Sequence, residues 1–210
     1  QIGYTLGAAT AMAGKAAEVI AAENLVVTGS GISFTARTPQ GEAQVAVKLL
    51  GRFNAANLLA VLGALLASGV ALKPAAAVLE RLTPPPGRMQ AVSGGQGEPL
   101  LVIDYAHTPD ALEQALSTLR EVAVARGGRL LCLFGCGGER DPGKRPLMGE
   151  IVARLADMNF VTSDNPRGEN PLKIIADILR GMIEPGSVEP DRAAAIRAAV
   201  MAAAPDDVVL

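Results

Sequence analysis

Three consecutive prolines and a glycine, in Thr83-Pro84-Pro85-Pro86-Gly87, divide this sequence into two parts that cannot share one helix or strand. Each proline lacks an amide hydrogen and holds φ at about −65°, and a residue before proline is driven out of the α region. The segment therefore reads as a stiff extended connector and the boundary between two domains, 1–83 and 84–210. The hydrophobic pattern changes there as well.

Upstream, short alternating runs and turn residues fill positions 1–50. Gly29-Ser30-Gly31 separates Leu25–Thr28 from Ile32–Thr35, which predicts antiparallel strands, and Val45, Val47 and Leu49 alternate with Ala46 and Lys48 as in a strand. Leu58, Leu59, Leu62, Leu65 and Leu66 recur at helical spacing within 54–68, and a second helix is predicted from Pro74 to about Leu82. Downstream, strands are predicted at Leu100–Ile103, Leu130–Phe134, Met158–Val161 and Val208–Leu210. Helices are predicted between them, from Thr108 to about Ala125 and over Pro146–Ala156, Pro171–Met182 and Arg192–Ala203. Thr108-Pro109-Asp110 has the chemistry of a helix start and Gly127-Gly128 that of a helix stop. Strands alternating with helices predict an α/β fold with a Rossmann-like, mostly parallel sheet covered on both faces.

Composition narrows what such a fold can do. Half the residues are apolar but only 3% are aromatic, with no Trp, so the core is built from Ala, Val, Leu and Ile. A net charge of −2 and the lack of a Lys/Arg run argue against nucleic acid as a partner. The longest nearly apolar run, Leu58–Leu72, is interrupted by Gly63, Ser68 and Gly69 and is too short to span a membrane. No secretory signal opens the chain. Cys132 and Cys136 with a single His make a poor metal site and read as reduced thiols of a cytoplasmic protein. Both ends look cut: the chain begins in mid-pattern at Gln1-Ile2-Gly3-Tyr4 and stops in an apolar strand.

Three loops at predicted strand ends carry the polar chemistry. Asp104-Tyr105-Ala106-His107-Thr108-Pro109 leads into a helix N-terminus, where phosphate is readily held. His107, the only histidine, is either a loop side chain satisfied by backbone or a functional group beside that phosphate. Gly138-x-x-x-x-Gly143-Lys144 comes close to a P-loop, but Arg145 stands where Ser or Thr would ligate Mg²⁺. The loop is then an anion-binding turn or simply a solvated one. Asp164-Asn165-Pro166-Arg167 is either an Asx-type turn or a place where Arg167 grips a carboxylate through two hydrogen bonds. No Gly-x-Ser-x-Gly elbow and no Cys/His pair is present. A dinucleotide reading is weak because Gly-x-Gly-x-x-Gly is missing, although a non-catalytic Rossmann-like binding module stays open.

Five segments in register resemble the Mur ligase family, and among its members the diaminopimelate-adding ones. They are Gly51-Arg52-Phe53-Asn54-Ala55-Ala56-Asn57, Gly87-Arg88-Met89, Asp104 through Asp110, Phe134 through Pro146, and Asp164-Asn165-Pro166-Arg167. The resemblance implies that residues 1–83 are the end of a central α/β P-loop-type ATPase domain and 84–210 most of a C-terminal amino-acid-binding domain. It implies a monomeric enzyme using ATP and Mg²⁺ to join meso-diaminopimelate to UDP-MurNAc-L-Ala-D-Glu through an acyl phosphate. Asn54 resembles the residue near the adenine. Arg88, Asp104 and Tyr105 resemble nucleotide contacts, and His107 a catalytic group near the phosphates. Arg140, Asp164, Asn165 and Arg167 resemble the diaminopimelate pocket, with Arg140 and Arg167 for a carboxylate and Asp164 for an ammonium. Both arginines are expected to be buried, so that lysine, lacking the second carboxylate, would leave them unpaired. Glu139 departs from the usual Gly-Gly-Asp-Arg pattern. The P-loop, the carbamylated Lys and the Gly-Lys-Gly-His-Glu segment expected after Leu210 are absent, so this chain alone is expected to be inactive. A lysine-adding or folylpolyglutamate-type ligase is the nearest alternative within the superfamily.

Overall fold

Two threonines set the register of the first sheet. The Thr28 and Thr38 hydroxyls each donate to the carbonyl three residues on, Gly31 and Gly41, at 3.0 Å. They also accept from the amides of Ser30 and Gln40 at 3.3 and 3.1 Å. In this computed structural model, which describes residues 2–7, 18–92 and 97–210, those turns join β2 (Glu18–Thr28), β3 (Gly31–Thr38) and β4 (Gly41–Val47) into an antiparallel meander. β1 (Ile2–Leu6) adds a parallel strand to β2. Gly31 must be glycine because a Cβ there would meet the Val47 backbone. β2 is longer than the Leu25–Thr28 read from the sequence. A bulge between Glu23 and Val26, with Asn24 at φ 54°, breaks the alternation that would have revealed it. Helices α1 (Phe53–Ala67) and α2 (Leu72–Leu79) lay Leu58, Leu62 and Leu79 with the sheet's Ile32 and Phe34 in one core. α2 starts two residues before Pro74 because proline is tolerated through the first turn.

The chain divides into units Gln1–Pro84 and Pro85–Leu210. The second unit holds a six-stranded sheet of β5 (Gln90–Ala91), β6 (Leu100–Ile103), β7 (Leu130–Phe134), β8 (Met158–Val161), β9 (Ser187–Val188) and β10 (Val208–Val209). Its order is β5-β6-β10-β7-β8-β9, and only β5 runs antiparallel. Four of these strands were legible as apolar runs, whereas β5 and β9, two residues each, carry no periodic signal. Helices α3 (Pro109–Arg126) and α4 (Lys144–Leu155) pack on β7, β10 and β8, with α5 (Pro171–Leu179) against α4. α6 (Arg192–Ala202) covers the other face through Ala199 on Leu131, Phe160 and Val209. The α3 N-cap is Thr108, which accepts from Ala111 N, and Gly127 at φ 76° ends the helix.

Two carboxylates tie the strand starts together. Asp207, 3% exposed, accepts from Arg129 N at 2.7 Å, Ala204 N at 2.8 Å and the Arg129 guanidinium at 2.7 Å. Asp157 accepts from Leu130 N and from Arg120, both at 2.7 Å. Burial alone would raise the Asp207 carboxyl, but the Arg129 and amide bonds outweigh it and hold it below the usual range. Asp157 is lowered chiefly by Arg120. The unfolded chain therefore takes up protons at these carboxyls at higher pH than the folded one. Their stabilisation is full above the ordinary carboxylate range and is lost as pH falls through the depressed native values. Urea unfolding followed by circular dichroism is expected to give a midpoint that holds down to about pH 5 and falls below it. Asp207→Asn is expected to cost about 1–3 kcal/mol at neutral pH and to flatten that acid limb.

Candidate functional site

The carboxyl ends of β6, β7 and β8 deliver three loops to one side of the second unit, where ligands of open α/β sheets bind. In the first loop, Asp104 accepts from Met89 N and Ala106 N, both at 2.9 Å. This fixes the chain beside Arg88, whose guanidinium carbon lies 5.3 Å from the centre of the Tyr105 ring. Tyr105, 65% exposed, meets His107 edge-on at 5.1 Å. His107 Nδ1 lies 3.0 Å from Tyr105 O. A carbonyl oxygen only accepts, so Nδ1 carries the hydrogen and Nε2 is left to accept or donate.

The second and third loops are joined edge to edge. Gly138 N donates to Asn165 O at 3.1 Å, and the Arg167 guanidinium donates to Gly138 O. A Cβ on Gly138 would collide with the Pro166 backbone, so only glycine permits the approach. Glu139, Asn165 and Arg167 sit at φ 51°, 34° and 50°, in the left-handed region. Arg145, the residue that spoils the P-loop pattern, explains itself: it is 1% exposed and ion-paired to Glu169 at 2.8 Å and Asp177 at 3.0 Å. The loop is thus braced by a buried cation. Lys144 donates to His107 O at 2.6 Å, joining the first loop to the second.

Together the loops rim a cleft of about 860 Å³. Of the residues read from the sequence, Asp104, Tyr105, His107, Arg140, Asp164, Asn165 and Arg167 all line it. Arg88 stands beside it on Tyr105. Asn54 belongs to the first unit, where its amide donates to Leu50 O at 2.8 Å and its oxygen accepts from Asn57 at 3.1 Å. One expectation is corrected: Arg140 and Arg167 are exposed, not buried. They ride on loops that stand beyond the sheet and are open to solvent, and Arg167 already donates to Gly138 O, so the penalty for leaving either without a carboxylate is smaller than a buried site would impose. Glu169 and Asp177 escaped the sequence reading, and Arg145 entered it only as the break in the P-loop pattern. Arg145, Glu169 and Asp177 look like ordinary surface charges until the fold buries the first and brings the others to it. Burial lifts the Cys132 and Cys136 thiols to about 12 and about 11, so both are neutral at physiological pH and neither is a nucleophile. Among the described residues no group of three or more His, Cys, Asp or Glu is placed to hold a metal ion. No helix there is long and apolar enough to cross a membrane.

Residues 87–210 match the family described as Mur ligase, glutamate ligase domain. The chain belongs to the Mur ligase family. It is 58% identical over 187 residues to the UDP-N-acetylmuramoyl-L-alanyl-D-glutamate–2,6-diaminopimelate ligase of Chromobacterium violaceum, covering 89% of this chain and 38% of that protein. It is 51% identical over 187 residues to the ligase of that name from Neisseria meningitidis serogroup A, with the same coverage. A solved structure of a ligase of that name superposes with a TM-score of 0.70 at 38% identity, over 93% of this chain and 39% of that one. The folylpolyglutamate synthase of Thermotoga maritima superposes with a TM-score of 0.71 at 17% identity, over 91% of this chain and 43% of that one, which shows a shared fold alone. The chain spans 38% of the length of the first of these relatives.

In this Mur ligase chain the close contact of the second and third loops has a direct test. Gly138→Ala forces the Pro166 backbone away and separates them. Trypsin is expected to cut after Arg140 and Arg167 faster than in the unsubstituted chain, with the helix signal in circular dichroism unchanged. Equal cleavage rates in the two proteins would show that the contact does not hold the loops.

Proposed function

We propose that this Mur ligase chain supplies the amino-acid-binding part of a cytoplasmic ligase that adds meso-diaminopimelate to UDP-MurNAc-L-Ala-D-Glu at the expense of ATP. Residues 1–83 are assigned to the end of the ATPase domain and residues 84–210 to the C-terminal domain. One observation carries the reading: Arg140, Asp164 and Arg167 come from two different strand ends into one cleft. Two guanidinium groups and a carboxylate match a free amino acid centre, with its carboxylate and ammonium, and meso-diaminopimelate presents such a centre at the end remote from the reacting amine. Asn165 completes the turn between them. The high identity to ligases named for that substrate supports the same assignment.

In the reaction, ATP phosphorylates the D-Glu side-chain carboxylate and ADP leaves. The amine then attacks the acyl carbon, and the tetrahedral intermediate expels phosphate to leave the amide. The chain's own residues hold the amine and its tail in place, so that the attack becomes effectively intramolecular. Arg88, Asp104 and Tyr105 are assigned to the nucleotide, Asp104 by holding the turn that carries Arg88, and Asn54 to the adenine. His107, with Nδ1 fixed by Tyr105 O, is assigned to the phosphates through Nε2. Mg²⁺ enters with the nucleotide in this reading. The described residues do not make a resident site for it, and no step is assigned to them through the metal.

Since Arg140 and Arg167 are exposed, discrimination against lysine rests on the charge-assisted hydrogen bonds formed with the second carboxylate, each about 1.5–3 kcal/mol. In the intact ligase, Arg167→Ala is expected to raise KM for meso-diaminopimelate by about 10- to 100-fold while leaving KM for ATP within about twofold. An equal rise in both would sink the assignment. Efficient use of lysine by the unsubstituted enzyme would transfer it to the lysine-adding members.

A further inference from the structure

Glu169 does not line the cleft, yet it touches both of the loops that carry Arg140 and Arg167. Its Oε1 accepts from the buried Arg145 guanidinium at 2.8 Å and from Glu139 N at 2.5 Å. Glu139 immediately precedes Arg140 and holds a left-handed φ of 51°, so its backbone decides where Arg140 leaves the loop. On its own loop, Glu169 N donates to Pro166 O at 3.0 Å, closing the turn that carries Arg167. Arg145 in turn is held by Asp177 on α5, at 3.0 Å. Glu169 therefore joins three groups: its carboxylate oxygen takes the amide before Arg140 and a cation held in the helix layer, and its own amide closes the turn carrying Arg167. The Glu169 carboxyl lies below its usual range, chiefly because of Arg145 and then the Glu139 amide, so it is a charged acceptor at physiological pH.

We propose that Glu169 is a positioning residue for the amino-acid clamp, setting the spacing between Arg140 and Arg167 through the Glu139 amide while Arg145 holds Glu169 itself. The inference rests on the assignment of Arg140, Asp164 and Arg167 to the amino acid centre. A carboxylate and an ammonium on one carbon have a fixed separation, and recognition of such a group tolerates displacements of only about half an ångström. Arg140 is exposed and Glu139 is in a costly backbone conformation, so neither residue holds that geometry unaided.

Steady-state kinetics of the intact ligase with ATP, UDP-MurNAc-L-Ala-D-Glu and meso-diaminopimelate tests this. Glu169→Ala is expected to raise KM for meso-diaminopimelate by about tenfold or more, with KM for the other two substrates within about twofold and kcat at saturation largely kept. Glu169→Gln keeps an oxygen for the Glu139 amide and is expected to recover most of the affinity. Glu169→Asp keeps the charge that pairs with Arg145 but is one methylene short of the amide. It is expected to fold as the unsubstituted enzyme does and still to show the raised KM, so the test stands even if Glu169→Ala is unstable. A merely structural glutamate would lower the active fraction and kcat and move no single KM. The proposal is overturned if Glu169→Asp and Glu169→Ala leave KM for meso-diaminopimelate unchanged, or if all three KM values rise together. If the unsubstituted enzyme does not use meso-diaminopimelate, the functional reading fails first and takes this inference with it.

Discussion

The second unit depends on β10 being held between β6 and β7. Without it the two strands face each other across an unpaired gap, with amides and carbonyls that have no ladder. β10 is only two residues long and cannot hold itself there. Asp207 does so from its amino end, since three of its hydrogen bonds reach the start of β7 and the end of α6. Gly128 makes room, because a Cβ there would overlap the Asp206 backbone. The cost of burying the Asp207 carboxylate is offset by an arginine that remains half in solvent, so only one charge is fully desolvated.

Once β10 is in place, the loops after β6, β7 and β8 are set side by side and must be braced against one another. Asp157 repeats at β8 what Asp207 does at β10, gripping the first amide of β7 and an arginine. At the carboxyl ends the bracing falls to Arg145 on α4, which pairs with Asp177 on α5 and with Glu169 in the loop ahead of it. Three non-glycine residues in left-handed backbone, each a conformation of about 1–3 kcal/mol, persist there because neighbours over-determine them. Such strain collects where a surface must be shaped in advance of its ligand.

Much of this architecture was legible in the chain. The proline run, the alternation of apolar strands with helices, and the Thr108 and Gly127 caps all act locally, so their signals lie within a few residues. The rest is long-range. Nothing around Val208 says that it will pair with both Leu100 and Leu130, because partner choice depends on Asp207 meeting Arg129 across the fold. The cleft residues were found because each stands at a strand end in a loop of distinctive composition. Their exposure was misjudged because sequence tells which groups gather but not how far their loops project. Arg145 was read as a failed P-loop position when it is a buried brace, since burial of a charge is decided by partners 24 and 32 positions away.

The exposure of Arg140 and Arg167 bears on how such a cleft can be selective. Buried cations would punish any ligand lacking the second carboxylate, but they would also be costly to hold empty. Exposed cations cost little without an anion, as Arg167 resting on Gly138 O shows, and add to affinity when a carboxylate bridges them. Under the proposed assignment, selectivity then depends less on how strongly each arginine attracts an anion than on whether both can reach one carboxylate while Asp164 meets the ammonium beside it. That is a condition on geometry. It moves the burden from the side chains that touch the ligand to the groups that hold their backbone: Gly138 against Pro166, Glu169 against Glu139, and Arg145 beneath them. In that assignment a substitution in this supporting layer would weaken recognition with Arg140, Asp164 and Arg167 all still present.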